Sequence, residues 1–136
     1  MTSGSDVVLD TNVFVAAGFN PGSASAGIIE EVNAGRLTLI WDEDTRREIE
    51  AVVRRIPPLS WDTFAGLFQE EHHYEGALNH EEFDGMPDTA DRKFAALAAA
   101  ADAALVMNDG DLLGSLPSGR VWVLTPDVFL TRRQRG

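Results

Sequence analysis

Four acidic residues lie where this sequence changes from strand-like to helix-like patterns, and their placement limits the folds that the chain can adopt. Asp10 ends the apolar run 7–9, and Asp109 follows the apolar run 104–107. Glu48 lies in a helical pattern, and Asp91 lies in the first turn of an alanine-rich helical pattern. In an open α/β sheet, residues at the carboxyl ends of neighbouring strands converge on one crevice. Because clustered carboxylates repel one another unless a cation joins them, this placement predicts a metal site.

Length and composition predict one domain, residues 1–136, of a soluble cytoplasmic protein. The chain has no cysteine, which excludes disulfides, a thiolate zinc site and a cysteine nucleophile. No apolar stretch approaches the ~20 residues that a membrane helix needs. The first residues lack the basic flank and apolar core of a signal peptide, so we expect no membrane association.

The formal net charge is -11, from 22 acidic and 11 basic residues. Taken alone, this charge argues against a nucleic-acid partner, because phosphate binding normally requires a basic surface. The objection weakens if carboxylates in a cleft bind divalent cations, because these cations can then bind the phosphate. The basic residues also occur in groups, which are positions 46–47, 54–55, 92–93 and 132–135.

Strand-like and helix-like patterns alternate along the chain, which predicts a mostly parallel sheet with helices on both faces. Apolar runs predict strands at residues 6–10, 37–41, 104–107 and 121–124. Helical patterns follow candidate capping residues, which are Ser23 or Ser25, Asp42, Ser60, Asp88 or Thr89, and Thr125. Gly18, Asn20, Pro21 and Gly22 predict a break after the first strand. Residues 74–78 are compatible with a short edge strand or a loop, and residues 111–115 with one helical turn.

In this order, the elements resemble a PIN domain. The resemblance rests on Val-Val-Leu-Asp-Thr-Asn (7–12), Arg-Arg-Glu-Ile (46–49), Asp-Thr-Ala-Asp-Arg-Lys-Phe (88–94), Leu-Val-Met-Asn-Asp-Gly-Asp-Leu-Leu (105–113) and Thr-Pro-Asp-Val-Phe-Leu (125–130). It implies a three-layer α/β/α sandwich with a mostly parallel, about five-stranded sheet. It also implies a ribonuclease that uses one or two Mg²⁺ or Mn²⁺ ions. Many small members are toxins of toxin–antitoxin pairs, so a small antitoxin and a homodimer are the implied protein partners.

The resemblance assigns residues to this site one by one. It implies that Asp10, Glu48, Asp91 and Asp109 are the catalytic and metal-binding acids. Asp111 corresponds to a further, less often essential acid. Thr11 and Asn12 correspond to the polar residues that orient a ligand or contact phosphate beside the first acid. From its position near Glu48, Arg46 is a candidate phosphate contact that could instead pair with Glu43 or Glu50.

Each acid also has a structural interpretation. Asp10 could cap a turn after the strand, and Asp91 could favour the positive end of its helix. Glu43 and Glu50 compete with Glu48, because helical periodicity does not choose among them. Asp109 and Asp111 could shape a turn. These interpretations leave the spacing of the acids across the chain unexplained.

Two other functions remain open at this point. The same fold could serve as a non-catalytic module that binds protein or scaffolds RNA, because fold alone does not define function. A phosphatase-like hydrolase of small phosphate esters is disfavoured, because the chain lacks the Asp-x-Asp arrangement after its first strand.

Overall fold

A computed structural model describes residues 6–78, 89–107 and 123–135, and at 89–91 and 133–135 it describes only the backbone. Its strands are β1 (Asp6–Leu9), β2 (Thr38–Leu39), β3 (Ala104–Val106) and β4 (Val123–Leu124). Its α-helices are α1 (Thr11–Phe19), α2 (Ala24–Asn33), α3 (Glu43–Arg54), α4 (Asp62–Ala65), α5 (Thr89–Ala101) and α6 (Pro126–Arg135). A short 3₁₀ turn covers Glu70–His72.

The described strands form one parallel sheet in the order β2-β1-β3-β4. Val7 lies beside Ala104 and Leu9 beside Val106, so β1 and β3 run side by side at the centre. Helices flank the sheet, as predicted for this α/β fold, and α5 packs on β1 and β3. The described residues form four strands rather than about five. Residues 74–78 form no strand, and one parallel bridge between Trp41 and His73 is the pairing at that edge.

Side-chain caps define where several helices begin. Ser23, rather than Ser25, caps α2 by accepting a hydrogen bond from the Ala26 amide at 3.1 Å. Asp42 caps α3 as predicted, and Thr45 completes a reciprocal capping box with it. Each cap accepts a hydrogen bond from an amide of the first helical turn, which has no acceptor within the helix.

Two local predictions were wrong. Gly18 does not break the chain but lies inside α1, where a Cβ atom would come within 2.5 Å of Leu59 Cδ2. The absence of a side chain there allows Leu59 to pack closely against the helix. Ser60 does not cap a helix, since the α4 N-cap position is Trp61 and carries no side-chain cap. The predicted cap Asp88 and the helical turn 111–115 lie outside the described residues.

The core combines the central strands with an aromatic cluster beneath the helices. Val7, Leu105 and Ile49 are almost fully buried, on β1, β3 and α3 respectively. Phe14 of α1 packs edge-on against Phe64 at 5.4 Å and stacks with Phe68 at 5.7 Å between ring centroids. This packing holds α1 against α4 and the residues that follow it. No helix in the described part of the chain is long and apolar enough to span a bilayer.

Candidate functional site

Asp10 lies at the carboxyl end of the central strand and is only 3% exposed. Its amide donates to the Val106 carbonyl at 3.1 Å, which continues the pairing of β1 with β3 by one residue. Its carboxylate accepts a hydrogen bond from the Asn12 amide and caps α1. The capping interpretation is therefore correct. It does not exclude metal binding, because a carboxylate has about four lone-pair positions and this cap uses one oxygen.

Glu48 is the α3 acid that contacts Thr11, the residue after Asp10. Thr11 Oγ1 donates to Glu48 Oε2 at 2.9 Å, and Lys93 Nζ lies 3.0 Å from Glu48 Oε1. Both carboxylate oxygens are thus engaged, and the side chain is 21% exposed. The next residue, Ile49, is buried, so this part of α3 packs against the core. The contact with Thr11 links Glu48 to the residue directly after Asp10.

The competing acids of α3 face elsewhere. Glu43 is exposed at the first turn of the helix. Glu50 pairs with Arg46 at 3.5 Å and with Arg54 at 2.7 Å, both at i,i+4 spacing. These are surface pairs of the kind that stabilise an isolated helix slightly. The tertiary structure therefore distinguishes Glu48 from Glu43 and Glu50.

Lys93 is a residue of this site that the sequence analysis did not single out. It lies in α5 and its side chain is 28% exposed. Sequence patterning placed it only in a basic pair with Arg92. One signal in the sequence does point to it, because Lys93 is the chain's single lysine among 11 basic residues.

The three predicted substrate contacts occupy different surroundings. Thr11 is 7% exposed, and its hydroxyl is directed to Glu48 rather than to solvent. Asn12 is exposed, and its amide contributes to the cap at Asp10. The Arg46 guanidinium lies 5.5 Å from the centre of the Trp61 ring and pairs with Glu50. Intramolecular contacts thus account for the orientation of the Arg46 side chain.

The remaining predicted acids are described partly or not at all. Asp91 lies in α5, two positions before Lys93, and only its backbone is described. Asp109 and Asp111 lie outside the described residues. The structure consequently brings Thr11, Glu48 and Lys93 into contact, next to Asp10 in the chain.

The described side chains have suitable donor chemistry for a divalent metal ion but do not complete a site for it. Within residues 6–78, 92–107 and 123–132, no three His, Asp or Glu side chains form a metal-binding group. The carboxylates of Asp10 and Glu48 and the Thr11 hydroxyl are hard oxygen donors, which Mg²⁺ and Mn²⁺ prefer. The position of the Lys93 ammonium on Glu48 shows that this carboxylate attracts a cation. The donor set therefore fits a magnesium or manganese ion.

A parallel α/β fold with a buried acid at the carboxyl end of a central strand is the architecture of a nuclease-like domain. Residues 6–107 match the family model of the PIN domain, and the chain belongs to that family. PIN domains are typically nucleases and generally bind divalent metals. The matched range includes Asp10, Glu48 and Asp91. No curated protein matches the chain.

Proposed function

We propose that this protein is a metal-dependent endoribonuclease that hydrolyses phosphodiester bonds of RNA. The observation that carries the proposal is the hydrogen bond from Thr11, the residue that follows Asp10 at the carboxyl end of β1, to Glu48. It connects α3 to the residue beside the first acid, although Asp10 and Glu48 lie 38 positions apart in the sequence. Membership of the PIN family supports a nuclease and RNA as its substrate.

In this proposal, Asp10, Glu48, Asp91 and Asp109 hold one or two Mg²⁺ or Mn²⁺ ions, and Asp111 assists them. A bound divalent ion would lower the pKa of a water molecule and offset the negative charge of the phosphate. The burial of Asp10, its backbone hydrogen bond to Val106 and its capping bond from Asn12 hold its carboxylate in position. A rigid ligand reduces the reorganisation that binding requires.

The other predicted residues act around these acids. Thr11 orients Glu48 through its hydroxyl, and Asn12, which is exposed beside Asp10, contacts the substrate phosphate. For Arg46 to contact phosphate, its side chain must leave Trp61 and Glu50. The acidic net charge of -11 is compatible with this scheme, because the bound ions rather than a basic surface meet the RNA.

Cleavage of a labelled RNA pool tests this function. We expect cleavage with Mn²⁺ or Mg²⁺, none with EDTA, and none by the Asp10→Asn variant. Glu50→Gln is the matched control, because it neutralises a surface acid of α3 that pairs with arginines. Cleavage that persists in EDTA and in Asp10→Asn would overturn the metal mechanism. A folded protein that binds Mn²⁺ but cleaves no RNA would instead favour the non-catalytic module.

We further propose that the protein is a single-domain cytoplasmic toxin that acts as a homodimer and is inhibited by a small antitoxin. Induced expression should then arrest bacterial growth, whereas Asp10→Asn should not. Coexpression of a small DNA-binding protein encoded directly upstream should restore growth. Growth that continues during expression of the active nuclease would refute the toxin role and leave the nuclease proposal standing.

A further inference from the structure

The contact between Lys93 and Glu48 differs from the other ion pairs of α3. Among the described residues, the other cations that pair with acids of this helix are arginines, and the side chains of Arg46, Arg47 and Arg54 are 34%, 72% and 60% exposed. Lys93 is the chain's single lysine, it comes from α5, and it is 28% exposed. An ammonium group is a compact charge on a flexible stem, whereas a guanidinium is a planar fork suited to fixed bidentate contacts. A lysine can therefore leave a carboxylate and return to it more readily.

The electrostatics of the site explain why a cation is needed at this position. Glu48 accepts a hydrogen bond from Thr11, the residue that follows the buried Asp10, and its side chain is only 21% exposed. A partly buried carboxylate without a counter-ion is disfavoured, because burial penalises its charged form. The Lys93 ammonium, 3.0 Å from Glu48 Oε1, supplies one positive charge there.

We propose that Lys93 is the built-in counter-cation of Glu48 and that a divalent metal ion displaces it on binding. This inference rests on the proposed metal site. In the absence of metal, Lys93 holds the Glu48 carboxylate in place beside Thr11. Lys93 would leave Glu48 for solvent once a divalent ion is bound, because like charges repel. Lys93 is thus a positioning residue for Glu48 in the metal-free protein.

Replacement of Lys93 should change metal affinity and metal-free stability in opposite directions. A single and a double positive charge several ångströms apart repel enough, even in water, to lower affinity about tenfold. Lys93→Met removes that repulsion, so it should bind Mn²⁺ about tenfold more tightly than the wild type. Its melting temperature in EDTA should fall, and saturating Mn²⁺ should restore it.

Two further variants control for charge and for folding. Arg54→Met removes one positive charge from an exposed pair of α3, so Mn²⁺ affinity should change by less than about twofold after screening by salt. Lys93→Arg keeps the charge and should retain wild-type metal-free stability. Free Mn²⁺ measured by electron paramagnetic resonance, together with thermal melts, gives both quantities without any RNA.

The wild-type protein provides an independent measurement. Because the chain has one lysine, acetylation by an amine-reactive reagent can be followed at Lys93 by peptide mass spectrometry. Saturating Mn²⁺ should raise the acetylation rate of Lys93 severalfold, and Glu48→Gln should raise it without metal. This measurement needs no Lys93 variant, so it decides the inference even if Lys93→Met fails to fold.

The outcomes separate the inference from the function on which it rests. Tighter Mn²⁺ binding by Lys93→Met, with faster acetylation of the metal-loaded wild type, supports displacement. Wild-type binding of Mn²⁺ with unchanged acetylation and unchanged affinity of Lys93→Met overturns displacement but leaves the nuclease proposal intact. A wild-type protein that does not bind Mn²⁺ overturns both.

Discussion

The Thr11 hydroxyl donates to Glu48 Oε2 at 2.9 Å and thereby joins the first residue of α1 to α3. The two residues are 37 positions apart. Because Thr11 directly follows Asp10, this hydrogen bond also connects α3 to the carboxyl end of β1. The residue beside the first acid therefore helps to assemble the site, in addition to any contact with substrate.

Thr11→Val should weaken the site while preserving side-chain volume. A hydrogen bond to a charged group contributes about 1.5–3 kcal/mol, and partial exposure of Glu48 lets water replace some of it. We expect a loss of about 1–2 kcal/mol in the free energy of unfolding, measured in urea. Cleavage should fall about tenfold or more, because the acid is less well positioned. Thr11→Ser keeps the hydroxyl and should stay close to wild type; equal loss in both variants would argue against this role.

Glu48→Gln and Glu50→Gln each remove one negative charge from α3, but they should have unequal effects on Mn²⁺ affinity and cleavage. Glu48→Gln should lower Mn²⁺ affinity and cleavage about 10–100-fold, the range found when groups that support a metal are removed. Glu50→Gln loses only surface pairs with Arg46 and Arg54 and should change stability by less than about 1 kcal/mol. Similar cleavage by the two variants would refute the assignment of Glu48.

Substitution can separate the helix-capping role of Asp10 from its proposed metal-binding role. Asn caps a helix as well as Asp does, so Asp10→Asn should keep the α1 cap, whereas Asp10→Ala should lose about 1 kcal/mol of stability from the cap. Both variants should lose metal-dependent cleavage. Ser23→Ala removes the cap of α2 and should cost a similar amount of stability while retaining cleavage. Residual cleavage by Asp10→Asn at the wild-type level would exclude a metal role for this carboxylate.

The position of Arg46 allows a structural role and a substrate role to be distinguished. Arg46→Met removes the contact with Trp61 and should cost about 0.5–1 kcal/mol of stability. If Arg46 also contacts RNA, KM should rise with little change in kcat. Arg47→Met, at a side chain that is 72% exposed, should alter stability by less than about 0.5 kcal/mol. An unchanged KM in Arg46→Met would leave Arg46 with only its structural role.

Divalent ions should control RNA affinity as well as cleavage. With a net charge of -11, the protein repels RNA when EDTA removes metal ions. Adding Ca²⁺ should strengthen RNA binding by the wild type but not by Asp10→Asn, as measured by fluorescence anisotropy. Wild-type RNA binding that is equally tight in EDTA would show that the arginine groups, rather than bound ions, meet the phosphates.

Local sequence signals predicted most elements of the fold. The apolar runs at β1 and β3 predicted buried parallel strands, and Asp42 predicted the start of α3. Such features depend on neighbouring residues, through capping and hydrophobic periodicity. The prediction at Gly18 was wrong, because local signals do not report packing between distant segments. Gly18 lies inside α1, and Leu59 packs closely against it.

The sequence by itself determined the class of this protein: a parallel α/β chain of the PIN family with an acid after its first strand. It could not choose among Glu43, Glu48 and Glu50, because all three are compatible with the same helical pattern. It also gave no reason to pair Lys93 with Glu48. Only the packing of α1, α3 and α5 around β1 decided these contacts, because the partners are far apart in the chain and meet only after the core has formed.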